Sequence, residues 1–169
     1  MGVSAPPSAR PAMVSGTLPA VPPGILIVDD SAVARAVIAR AVEAGGRLTV
    51  AGAVANAEAA LAFLQANLVA AIVLDVEMPG TDGLTALPDL IAAGAGAPVL
   101  VVSSACDVGA QATLRALALG AADTLVKPGV GSLRGSFARI LESRLVGMLQ
   151  DARPVHGLPA ATRDATSEY

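Results

Sequence analysis

With 169 residues and a formal charge of −3, the chain has room for one domain with a full core, and too little positive charge to argue for a nucleic-acid surface. Apolar residues make up 54% and aromatic residues only 2%, so the core must be built from Ala, Val, Leu and Ile, as suits buried parallel strands under Ala-rich helices. The single cysteine, Cys106, excludes an internal disulfide and a multi-cysteine metal site and fits a reducing compartment.

Residues 1–23 are rich in Pro, Ala and Ser and lack the continuous hydrophobic stretch of a secretory signal. They are expected to form a flexible arm, followed by a domain over residues 24–150 and a polar linker or tail over residues 151–169. No apolar run reaches the roughly 18 residues of a membrane span, so no membrane contact is expected and the protein is read as cytoplasmic. Ile25 to Val28 is a compact apolar run ending in Asp29 and Asp30, the first predicted strand. Ser31 to Ala44 follows as a helix, with Val33, Val37, Ile38 and Val42 at helical spacing. Leu48 to Val54 is the second strand, and Asn56 caps a helix over Ala57 to Ala66 that buries Leu61 and Leu64.

Ala71 to Leu74 is the third strand, ending at Asp75. A loop with Pro79, Gly80 and Gly83 leads to a third helix ending near Gly94. Pro88 lacks a backbone N–H, which predicts a helix that starts late, near Leu87, or has a distorted first turn. Pro98 to Ser103 is the fourth strand, and Gln111 to Leu119 a helix that Gly120 stops. Thr124 to Val126 and Leu133 to about Gln150 make the last strand and helix. Five strands alternating with five helices imply right-handed crossovers and an α/β fold, a parallel sheet with helices on both faces.

In such a sheet, ligands sit beyond the carboxyl ends of the strands, and the unusual polar residues fall there. Asp29 and Asp30 end the first strand, Asp75 the third, Ser103 the fourth and Lys127 the fifth. Each alone has an ordinary explanation as a cap, turn or loop residue; five at one edge do not. Converging carboxylates repel unless a cation relieves them, and Mg2+ suits oxygen ligands beside phosphate. Asp30 and Asp75 are the first candidates as direct ligands, with Asp29 acting through water and the Glu77 backbone carbonyl adding an oxygen. Asp75 beside such an ion can act as a nucleophile toward phosphorus, while Lys127 and Ser103 cradle the phosphoryl group.

Four ordered segments carry a resemblance: Ile25 to Ala32 (ILIVDDSA), Val73 to Leu84 (VLDVEMPGTDGL), Val101 to Ser104 (VVSS) and Leu125 to Pro128 (LVKP). Together they resemble response-regulator receivers, particularly those of the chemotaxis protein-glutamate methylesterases. The resemblance implies a flavodoxin-like strand order of 2-1-3-4-5 and phosphotransfer to Asp75 from the phosphohistidine of a sensor kinase, of chemotaxis type in that case. A downstream effector domain or protein would read the change. Thr124 stands where receivers usually carry an aromatic residue, which departs from the usual readout. The alternative expectation is the regulatory portion of a methylesterase, its catalytic domain elsewhere. The single histidine, His156, and the lack of a Gly-x-Ser-x-Gly elbow leave no esterase triad in this chain. No Gly-x-Gly-x-x-Gly follows the first strand and no Walker loop is present, so a small-molecule enzyme on the same fold is disfavoured.

Overall fold

A computed structural model describes residues 21–104, 109–128 and 134–152. Most of the expected N-terminal arm, nearly all of the expected tail, Cys106 and His156 lie outside the described residues. The elements alternate as β1 (Gly24–Val28), α1 (Ala32–Glu43), β2 (Thr49–Val54), α2 (Ala57–Ala66), β3 (Ala71–Asp75), α3 (Gly83–Ala93), β4 (Val99–Ser103), α4 (Gly109–Ala118), β5 (Asp123–Val126) and α5 (Arg134–Asp151). All neighbouring strands pair in parallel, in the order β2-β1-β3-β4-β5. This is the flavodoxin-like order, and it puts the topological switch between β1 and β3.

The strands have near-continuous apolar runs because both faces of the sheet are covered. Side chains alternate between two separate cores. Leu26, Val28, Ile72, Leu74, Val99 and Val101 pack with Ala60 and Leu64 of α2, Leu87 and Leu90 of α3 and Ala116 of α4. On the opposite face, Ile25, Ile27, Val73, Leu100 and Val102 meet Ile38 and Val42 of α1 and Leu141 and Leu145 of α5. Small alanines let the helices lie close to the sheet, so few aromatic side chains are needed to fill the space.

Two expectations are corrected. Helix α3 begins at Gly83, well before Leu87, and continues through Pro88. Its first turn is regular: Asp82 caps it by accepting Thr85 N–H at 2.8 Å, and Ala86 N–H reaches the Asp82 carbonyl at 3.1 Å. Pro88 leaves the Leu84 carbonyl without its usual donor four residues on. It does so on the exposed side of the helix, while Leu84, Leu87 and Leu90 anchor the buried side. Val33, expected on the apolar stripe of α1, is 74% exposed. Helix α1 starts beyond the carboxyl end of β1, so its first turn has no sheet to pack on, and burial begins only at Ile38.

Among the described residues, no helix is long and apolar enough to cross a membrane. The cap of α3 supplies a stability test. The Thr85 N–H holds the Asp82 carboxyl below its ordinary value of 3.8. A lowered carboxyl pKa stabilises the fold fully above that ordinary value, and the contribution is lost as pH falls through the lower folded one. Asp82→Ala is expected to destabilise the protein by about 1 kcal/mol at neutral pH. Urea denaturation should show the gap between wild type and variant narrowing as the pH is taken below 3.8.

Candidate functional site

The β1–α1 turn is held from several sides. Asp29 continues the strand pairing through its N–H to the Val54 carbonyl at 3.1 Å. Its Oδ1 accepts the Ser31 N–H at 2.9 Å, and Ser31 in turn caps α1 through Ala34. Arg35, one turn into the helix, reaches back so that Nη1 donates to the carbonyls of Asp29 at 2.7 Å and Asp30 at 3.1 Å. Asp29 is completely buried, whereas Asp30 is exposed.

Asp75 is the last residue of β3, paired with Val102 and 2% exposed. Its Oδ1 accepts the Glu77 N–H at 3.1 Å. The start of α3 passes so close that a Cβ on Gly83 would lie 2.1 Å from the Asp75 carbonyl oxygen, so only glycine fits there. Ser103 ends β4 and is buried, and its carbonyl accepts the Lys127 N–H at 2.7 Å. Lys127 follows β5, and its Nζ lies 2.8 Å from Asp29 Oδ2 and 3.1 Å from Asp75 Oδ1.

Asp29, Asp30 and Asp75 each bring a carboxylate oxygen within 4.8 Å of the others. Three carboxylates against one ammonium leave the pocket two negative charges in excess. Burial pushes the Asp75 carboxyl up; hydrogen bonding and attraction from Lys127 and the Glu77 N–H oppose this, and the charge of Asp29 adds to it. Burial also works against the Lys127 ammonium, but its hydrogen bonds to Asp29 and Asp75 outweigh it and raise the lysine pKa. One lysine therefore bonds both buried acids and stays charged, but a single positive charge cannot neutralise three carboxylates. The all-oxygen donor set and the excess charge fit a small hard dication.

The expected residues thus fall at one edge: Asp29, Asp30, Asp75 and Lys127 converge, and Ser103 stands at the adjoining strand end. Glu77 flanks them, its backbone tied to Asp75 and its carboxylate accepting the Ser104 hydroxyl. Thr124 lies in β5 beside Val101, and the aromatic residues among those described, Phe63 and Phe137, sit on α2 and α5. Sequence reasoning missed Arg35, Ser104 and the close approach at Gly83. An arginine four residues after a helix-capping serine is a weak signal for the first, and no local pattern announces the Ser104 contact.

A doubly wound parallel sheet with an acidic pocket at its carboxyl edge defines the class of protein. Residues 25–134 match the family described as response regulator receiver domain, and the chain belongs to that family. A protein-glutamate methylesterase/protein-glutamine glutaminase of Paramagnetospirillum magneticum is 37% identical over 147 residues, covering 82% of this chain and 39% of that protein. One from Maricaulis maris is 40% identical over 137 residues, 80% of this chain and 34% of its own length. The chain therefore spans well under half the length of these relatives. The response regulator domain of Thermotoga maritima CheB aligns over 77% of this chain and 98% of that domain, with 31% identity and a TM-score of 0.66. This receiver is CheB-like.

The pocket predicts a stability effect that needs no ligand. Lys127→Met removes the ammonium shared by two buried carboxylates. It is expected to destabilise the fold by about 2 kcal/mol at neutral pH, a value discounted for the partial exposure of the lysine. Chemical denaturation of the metal-free protein measures it, and an unchanged midpoint would contradict the electrostatic picture. Gly83→Ala is expected to lower stability by about 1–3 kcal/mol through the clash with Asp75, read from the same transition.

Proposed function

We propose that the chain is a magnesium-dependent phosphorylation switch, a receiver over residues 24–150 in which Asp75 accepts a phosphoryl group from the phosphohistidine of a sensor histidine kinase. The observation that carries this reading is the convergence of Asp29, Asp30 and Asp75 around a lysine that bridges two of them. Asp30 and Asp75 would hold Mg2+ directly, with Asp29 acting through water and the Glu77 carbonyl completing the protein donors. When bound, the ion would neutralise part of the charge that gathers on the phosphoryl group.

The chain's own residues do the rest. An Asp75 carboxylate oxygen forms the bond to phosphorus as the phosphorus–nitrogen bond of the donor breaks, and the imidazole leaves with its electron pair. Lys127, already 3.1 Å from Asp75, pairs with a phosphoryl oxygen once the Asp75 charge is esterified. Ser103 supplies a hydroxyl donor from the neighbouring strand end. The receiver works in the cytoplasm, where a kinase of chemotaxis type meets it, and phosphorylation alters its contacts with an effector. With Thr124 in place of an aromatic residue, the readout runs through smaller side-chain motions on the β4–β5 side.

A second reading is favoured by the relatives: the receiver regulates a methylesterase catalytic domain in a longer protein. The basis is 37% and 40% identity to methylesterases of which the chain covers 39% and 34%. A reading frame that continues into a domain with a serine, histidine and aspartate triad would support it; a stop codon directly after Tyr169 would reject it.

Incubation with acetyl phosphate and Mg2+ followed by intact-mass measurement tests the main reading. A single phosphoryl adduct is expected, dependent on the metal and absent in Asp75→Asn. No adduct under any condition, or one that survives the substitution, would overturn it.

A further inference from the structure

The β3–α3 and β4–α4 loops are tied together by one side-chain contact at the mouth of the pocket. Ser104, the first residue after β4, donates its hydroxyl to Glu77 Oε1 across 27 positions of sequence. The main chain of Glu77 is anchored separately, through its N–H to Asp75 Oδ1 at 3.1 Å. With the backbone fixed at β3, the serine decides where the carboxylate lies, and it draws it toward β4. The strand order puts the converging acids on the β1–β3 side of the edge and Ser103 on the β4–β5 side, where the main chain of Lys127 also lies although its ammonium reaches across to the acids. Glu77 is not among the carboxylates that gather within 4.8 Å of one another.

We infer that Ser104 is a positioning residue that holds the Glu77 carboxylate on the phosphoryl side of the pocket, and so sets the lifetime of the phosphorylated state. The inference rests on the proposed phosphorylation of Asp75. With Oε1 engaged by Ser104 and the side chain exposed, Oε2 is left as an acceptor for a water molecule. Dephosphorylation forms a bond from the water oxygen to phosphorus and breaks the bond from phosphorus to the Asp75 oxygen. Asp75 returns to a carboxylate, orthophosphate departs, and the water's proton passes to the phosphate or to solvent. A carboxylate fixed beside the line of attack orients that water; a loose one orients it for only part of the time.

The test follows decay of the Asp75 adduct after acetyl phosphate labelling and removal of the donor, by intact mass, in wild type, Ser104→Ala, Ser104→Thr, Glu77→Ala and the Glu77→Ala/Ser104→Ala double variant. Loss of one orienting hydrogen bond is expected to lengthen the lifetime about threefold to tenfold in Ser104→Ala, with Ser104→Thr close to wild type. In the Glu77→Ala background, Ser104→Ala should have no further effect, because the serine acts only through the glutamate. Thermal midpoints of all variants identify any general loosening of the loops. Decay of Ser104→Ala at the wild-type rate, or an equal slowing with and without Glu77, would overturn the inference while leaving Asp75 as the acceptor. Failure of wild type to form an adduct would reject both.

Discussion

Lys127 reaches from the end of β5 across the sheet edge to Asp75 and on to Asp29, at 3.1 and 2.8 Å. Strands β5 and β1 stand three places apart in the sheet, a separation of roughly 14 Å between strand axes at about 4.8 Å per step. The contact can form only if every strand between them is in order and register, and if the loops lean inward over the edge. The lysine therefore reports the integrity of the whole sheet. It is the only lysine in the chain, every other basic side chain apart from His156 being arginine. Its compact, point-like ammonium is shared between two buried carboxylates, whereas a guanidinium pairs in a planar fork.

That edge is placed by two apolar cores rather than by the polar residues themselves. Each strand divides its side chains between the α2–α4 face and the α1–α5 face, so a slip of one residue would exchange the two sets and turn Asp75 out of the pocket. Burying Asp29 and Asp75 is costly, and each directly follows a fully buried strand residue, Val28 or Leu74, that fixes its place at the edge. Burial pushes the Asp75 pKa up, while the Lys127 ammonium is favoured by its hydrogen bonds to Asp29 and Asp75. A pocket left with excess negative charge suits a cation.

The surrounding loops are fastened to this edge by unlike devices. Arg35 clamps the carbonyls of the Asp29–Asp30 turn from inside α1. Gly83 lets α3 begin against the Asp75 carbonyl, where any side chain would collide. Ser104 links Glu77 to the end of β4. These three contacts tie the β1, β3 and β4 ends of the edge to their neighbouring loops and helices. Thr124, on the far strand of the same sheet, is half-buried in β5.

Much of this was legible along the chain. The alternation of short apolar runs with helical patterns identified every strand and helix, because burial on both faces leaves an unmistakable composition. Asp29, Asp30, Asp75, Ser103 and Lys127 stood out because each interrupts an apolar run at the same end of a strand, and the four motifs pointed to the family. What the chain order could not disclose were contacts between distant residues and the fate of local preferences. Pro88 opposes a helix locally, yet the cap at Asp82 and the buried stripe through Leu84, Leu87 and Leu90 carry the helix past it. Val33 has the right spacing for a core position but lies beyond the sheet. Which strand end each acid occupies follows from periodicity, a property of neighbouring residues. That Lys127 bridges Asp29 and Asp75, and that Ser104 holds Glu77, follows from the strand order, which brings together residues 98 and 27 positions apart.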